Sequence, residues 1–148
     1  MSEYDIKCLR LSALLHDIGK IEIPSEILNK KGKLTEEEFR LMKKHPEQSA
    51  DIVKSLSGME NIVEDILCHH ERYDGTGYPA GISREQIPLG ARIIAIADAF
   101  DAMLTDRPYK KALSLEEARR ELLENSGTQF DPALVKIFVD QFNELEAG

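Results

Sequence analysis

Apolar residues recur at a helical period along most of the chain. Ile6, Leu9, Leu11, Leu14, Leu15 and Ile18 predict a first helix over roughly Tyr4–Ile18, with Gly19 as its stop. KIEIPSEILNKKGK then reads as a connector with one short helical piece after Pro24. Thr35 with Glu38 forms a capping box, and Leu34 with Phe39 a hydrophobic staple, so a helix opens at Thr35. Pro46 breaks or kinks it, which leaves His45 at a junction; helix resumes to about Leu56. Another runs from about Asn61 to His70. GARIIAIADAFDAMLT, Gly90–Thr105, is apolar enough to lie at the centre of a fold. Ser114 and Glu117 open a helix that ends near Asn125. Asp131 as N-cap and Pro132 at the first helical position open the last, to about Leu145. The expected class is all-α, a bundle of helices interrupted by a long glycine-rich loop over Glu71–Leu89.

That loop changes the picture. Counting the adjoining Gly90, it holds four of the nine glycines, and it is long for a compact domain. Loops of this length are commonly functional. Its glycines follow no predicted strand, so it is not a dinucleotide loop. No repeat or low-complexity segment interrupts the 148 residues, which fit a single domain, 1–148.

Composition narrows the function classes. The net charge of −8 argues against duplex nucleic acid or an anionic membrane as partner, but leaves room for a small anionic ligand met by local positive charge. No apolar run reaches the length of a membrane span. Cys8 and Cys68 sit in helix-like apolar contexts and read as buried thiols, which fits a reducing, cytoplasmic compartment.

The candidate chemistry lies in the histidines. All four, His16, His45, His69 and His70, fall at a helix end or junction or beside a carboxylate. Asp98 interrupts the most apolar helix, and Asp101 follows on roughly the same face. A carboxylate there is costly unless it is paired or bound to metal. Adjacent helical residues splay by roughly 100°, so neighbouring ligands suit two ions better than one. An Asp has two oxygens and can span two cations; an imidazole binds through one nitrogen. A mixed His/carboxylate set fits two ions such as Fe or Mn better than a thiolate zinc site. Two such ions commonly activate water against a phosphate. Taken singly, each feature has a plainer explanation as a capped histidine, a turn or a hydrogen-bond acceptor; their joint placement favours metal.

LLHDIGKIEIP, KKHP, HHERYDGTGYP, PLGARIIAIADAFDAMLTDRPYKKALS and SGTQFDPALV together resemble the HD-GYP family, a branch of the HD phosphohydrolases, from about Tyr4 to Phe142. The resemblance implies an HD-type helical bundle that binds two divalent metal ions, sometimes three, often Fe or Mn. It implies hydrolysis of the bacterial second messenger cyclic di-GMP to the linear dinucleotide pGpG or to GMP. Matched position by position, the metal ligands would be His16, Asp17, His45, His69, His70 and Asp98, with Asp17 bridging. Lys20 would neutralise or protonate the scissile phosphate. Arg107 and Lys110 would contact substrate phosphates. Gly75, Gly77, Tyr78 and Pro79 would wall the pocket and receive a guanine or a protein partner, such as a diguanylate cyclase-type or other signalling domain.

One departure stands out. The family pattern takes a further histidine ligand from a helix upstream of the HD pair. Fifteen residues precede His16 and none is His; Glu3 and Asp5 are the alternative donors. The expectation is a domain shortened at its N-terminus, with weaker metal binding and an apolar face that could support a homodimer. The alternative is a catalytically weak or inactive module that binds cyclic di-GMP or a signalling partner without turnover.

Overall fold

A computed structural model describes residues 1–106 and 111–146, and within them no β-strand forms beyond an isolated Ser126–Phe130 bridge. The α-helices are α1 (Glu3–Leu15), α2 (Ser25–Leu28), α3 (Glu36–Met42), α4 (His45–Lys54), α5 (Val63–Leu67), α6 (Leu89–Leu104), α7 (Leu115–Glu124) and α8 (Pro132–Glu146). The all-α expectation is met. The expected capping boxes form at Thr35–Glu38 and Ser114–Glu117, and a further one forms at Ser2–Asp5.

Two boundaries differ from the sequence reading, each for a local reason, while His45 lies at the junction expected before Pro46. The first helix ends at Leu15, because Asp17 leaves helical geometry (φ −102°, ψ 5°) and a 3-10 turn follows over Ile18–Glu22. The helix expected over Asn61–His70 is a 3-10 turn, Glu60–Ile62, and then α5, which stops at Leu67. His69 and His70 therefore sit in the turn beyond it. His45 is the first residue of α4, with Pro46 tolerated at the helix start where no amide is needed.

Two apolar clusters frame the site. Ile96 and Phe100 of α6 pack with Ala118 and Leu122 of α7 and with Phe130, Val135 and Val139. Val53, Ile62 and Ile66 form the second, with Cys8 and Leu15 of α1 against them. Helix α6 contacts both halves, as its composition predicts. Arg92 of α6 donates from Nη1 to Asp131 Oδ2 at 2.6 Å, and Asp131 Oδ1 accepts from the amides of Ala133 and Leu134, so one buried carboxylate caps α8 and ties it to α6. The fully buried side chain of α1 is Ser12, which donates to Asp65 Oδ2, whereas Leu14 remains 78% exposed. Of the two cysteines expected to be buried, Cys68 is, and Cys8 is only half-buried.

A close backbone approach sets the site. The 3-10 turn after the His16–Asp17 pair lies against α4. A Cβ on Gly19 would stand 2.4 Å from Ser49 N and 2.5 Å from His45 O, both backbone atoms that cannot swing aside. Gly19 N–H donates to Ser49 Oγ at 2.8 Å. Glycine at this position lets Asp17 and Lys20 meet His45.

Candidate metal centre

The structure gathers His16, Asp17, Lys20, His45, His69, His70 and Asp98. His45 and His69 are buried at 2% and 1% exposure. Three of the imidazoles are oriented in the same way. Nδ1 of His16 faces Ala13 O at 2.7 Å, Nδ1 of His45 faces Met42 O at 2.7 Å, and Nδ1 of His69 faces Ile66 O at 2.6 Å. Each partner is the carbonyl three residues earlier, released at a helix end. A ring whose Nδ1–H donates to a carbonyl presents Nε2 as a lone pair, the arrangement that orients metal-binding histidines.

The Nε2 atoms converge. His45 Nε2 lies 3.4 Å from His69 Nε2 and 3.1 Å from His70 Nε2. Desolvation holds the rings neutral: burial lowers His45, pushes His69 down to about 4 and His70 down to about 3. With Nδ1–H of His45 and His69 donated elsewhere, their two Nε2 atoms face each other as acceptors. One proton from His70 can serve at most one contact. The cluster is satisfied by a cation that accepts the lone pairs.

Asp17 joins two groups. Its Oδ1 stands 3.3 Å from His45 Nε2, and its Oδ2 3.4 Å from His16 Nε2. Asp17 Oδ1 and His16 Nε2 are buried with no hydrogen-bond partner among the described residues. Burial alone would raise the Asp17 carboxyl, but the Lys20 ammonium, hydrogen-bonded to Oδ2, together with His16 and His45, holds it below its ordinary value. Asp98 Oδ1 lies 3.8 Å from His16 Nε2, an ion-pair separation. That pairing draws His16 upward and holds Asp98 down to about 2.

Among the described residues two ligand triads can hold a metal: His45, His69 and His70; and His16, Asp17 and His69. One nitrogen serves one ion, so His69 can complete only one triad at a time. Asp98 is placed to supply the other with an oxygen. Carboxylate and imidazole donors without thiolate suit Fe or Mn, and orphaned buried donors on both sides of Asp17 fit a pair of ions. The ring of Tyr78 stacks on His70 at 5.0 Å with a 28° interplanar angle.

The comparisons with known proteins agree with this geometry. The family model described as "HD domain" matches residues 1–134. The chain belongs to the HD domain family. This HD domain is 44% identical, over 99% of its length, to the cyclic di-GMP phosphodiesterase response regulator RpfG of Xanthomonas campestris. It is 48% identical over 87% of its length to a cyclic di-GMP phosphodiesterase of Pseudomonas aeruginosa. It spans 39% and 31% of those proteins. A solved cyclic GMP-AMP-specific phosphodiesterase of Vibrio cholerae superposes with a TM-score of 0.73 at 26% identity, covering 97% of this chain and 39% of that one. The resemblance to the HD-GYP branch is borne out.

Placement of the remaining sequence candidates is mixed. Asp101 is exposed and does not share the site of Asp98. The alternative donors are engaged elsewhere: Asp5 caps α1 through Ser2, and Glu3 pairs with Lys7. Arg107 and Lys110 lie outside the described residues. Gly77 packs on the Glu71–Arg72 backbone, Gly75 makes a turn beside Ser83, and Pro79 is exposed. Two residues at the site escaped sequence reading. Lys43 places Nζ 4.9 Å over the Tyr78 ring, and Glu71 is buried beside His70. The signal for Glu71 was its position directly after the histidine pair. Among the described residues no helix is long and apolar enough to cross a membrane.

Proposed function

We propose that this HD domain is a metal-dependent phosphodiesterase that hydrolyses cyclic di-GMP to linear pGpG or to GMP. The observation that carries the reading is the Asp17 carboxylate, whose two oxygens face two different histidines. The names of the relatives at 44% and 48% identity support the substrate. The cage would hold two divalent ions, Fe or Mn, or a third as well. When bound, they supply Lewis acidity and an activated water for attack on the phosphodiester.

The chain's own groups complete the site. His45, His69 and His70 would hold one ion, and His16 and Asp98 the other, with Asp17 serving both. Lys20 lies beside Asp17 Oδ2, where its ammonium offsets the charge gathering on the phosphate oxygens and can deliver a proton to them. Arg107, by a bidentate grip, and Lys110, as a point charge, contact the phosphates. Tyr78, with Gly75, Gly77 and Pro79, walls the side of the pocket and receives a guanine or a signalling domain. These cations overcome the repulsion between an acidic domain and a dianionic substrate.

Product analysis with cyclic di-GMP and the mixed cyclic GMP-AMP as alternative substrates tests the reading. Hydrolysis of cyclic di-GMP that stops in chelator and returns with Mn or Fe is the expected result. Undiminished turnover in chelator contradicts it, and stoichiometric binding without product assigns the domain to the non-catalytic alternative.

A further inference from the structure

Three histidines are oriented by a carbonyl three residues earlier; His70 is not. Its Nδ1 has no such bond among the described residues. Its ring lies instead against Tyr78, whose amide donates to His70 O at 3.2 Å. Beyond Tyr78, the next two amides of the loop with a side-chain partner are both held by one carboxylate. Glu71, 3% exposed, accepts with Oε1 from Ala80 N at 2.7 Å and from Gly81 N at 3.0 Å. The loop must come close for this to happen: a Cβ on Gly77 would lie 2.3 Å from Arg72 N and 2.6 Å from Glu71 Cα. The other carboxylate oxygen, Oε2, is buried without a partner among the described residues. Burying a carboxylate with one unpaired oxygen is unfavourable, so the two loop amides on Oε1 are what hold this side chain in place.

We propose that Glu71 is a positioning residue for the metal cage: by clamping the Ala80–Gly81 amides it holds Tyr78 against His70 and so sets the direction of the one histidine that lacks a backbone carbonyl to orient it. The inference rests on the reading of His70 as a ligand. Groups that orient ligands from outside the coordination shell alter metal affinity by about 10- to 100-fold when removed. A glutamine can keep the clamp, because its amide oxygen accepts the same two bonds.

The test titrates cobalt(II) into the full chain and follows its visible absorption, with amide exchange at Ala80 and Gly81 measured in parallel. Glu71→Ala is expected to deprotect both amides, weaken cobalt binding by about 10- to 100-fold and alter the spectrum. Glu71→Gln is expected to restore protection and affinity. Tyr78→Phe, which keeps the ring, retains wild-type affinity, and Tyr78→Leu does not; this pair serves where Glu71→Ala fails to fold. Amides that remain protected in Glu71→Ala overturn the clamp. Deprotected amides with unchanged affinity and spectrum overturn the link from loop to His70. A wild-type chain that binds no cobalt overturns the cage reading and this inference with it, while the amide exchange still reports the clamp separately.

Discussion

Asp17 presents Oδ1 to His45 Nε2 at 3.3 Å and directs Oδ2 away from it, toward His16 and Lys20. The two histidines come from different elements, the end of α1 and the start of α4. Only the close packing of the intervening 3-10 turn on α4 lets one carboxylate reach both. The chemistry of the site therefore depends on a packing contact at Gly19.

Gly19→Ala should be costly for a small change. Its added carbon meets backbone atoms on α4 at 2.4 and 2.5 Å, so the turn must move. Overpacking of this kind costs about 1–3 kcal/mol. The displaced turn carries Asp17, so metal content should fall along with stability. Urea unfolding and metal analysis on the same preparation check both; a variant of unchanged stability and full metal content contradicts the packing account.

Acid should weaken the metal-free fold through its buried imidazoles. Burial sets His69 at about 4 and His70 at about 3 against an ordinary value of 6.5, and lowers His45 as well. As pH falls, the unfolded chain takes up protons before the folded one does. Stability from these neutral rings is fully present above about pH 6.5 and is lost as pH falls toward about 4. His16 acts in the opposite sense, since its pairing with Asp98 raises it; that contribution is present at low pH and lost as pH rises through its folded value. Three lowered groups oppose one raised group, so the urea midpoint of chelated protein should decline on acidification below about pH 6.5. A midpoint that rises over that range counts against neutral burial.

The pair of half-buried Arg92 with buried Asp131 should be far more sensitive to loss of one partner than of both. Asp131→Ala removes the α8 cap and leaves a half-buried guanidinium without its counter-charge, a cost of up to about 3 kcal/mol. Replacing Arg92 by Met in the same chain removes that stranded charge. The double variant should be more stable than Asp131→Ala alone by urea unfolding, and a purely additive result contradicts the coupling.

What was legible in the sequence followed from local chemistry. Capping boxes at Thr35 and Ser114 and the Asp131–Pro132 start were readable because each is set by residues within four positions. The histidines and Asp98 were readable as a set because their types and positions match one site chemistry. The helix ends at Leu15 and Leu67 were not readable. In both places the chain leaves the helix so that a histidine can turn inward, and apolar periodicity carries no mark of that. Asp98 and Asp101 share a sequence face, but only the packing of α6 decides that one is half-buried and the other exposed. The role of Glu71 depends on amides nine and ten residues away, across a loop whose path periodicity does not encode.

The most direct test of the central claim is diffraction from metal-loaded crystals at the Mn or Fe absorption edge, for wild-type protein and Asp17→Asn. Two anomalous peaks are predicted in the wild type, one within Nε2 reach of His45, His69 and His70 and one beside His16, with Asp17 between them. The variant should lose at least one, and its turnover should fall by about 100-fold or more, as expected when metal stabilisation worth several kcal/mol is removed. Wild-type crystals with no peak in the cage, or a variant with both peaks intact and full activity, would contradict the account.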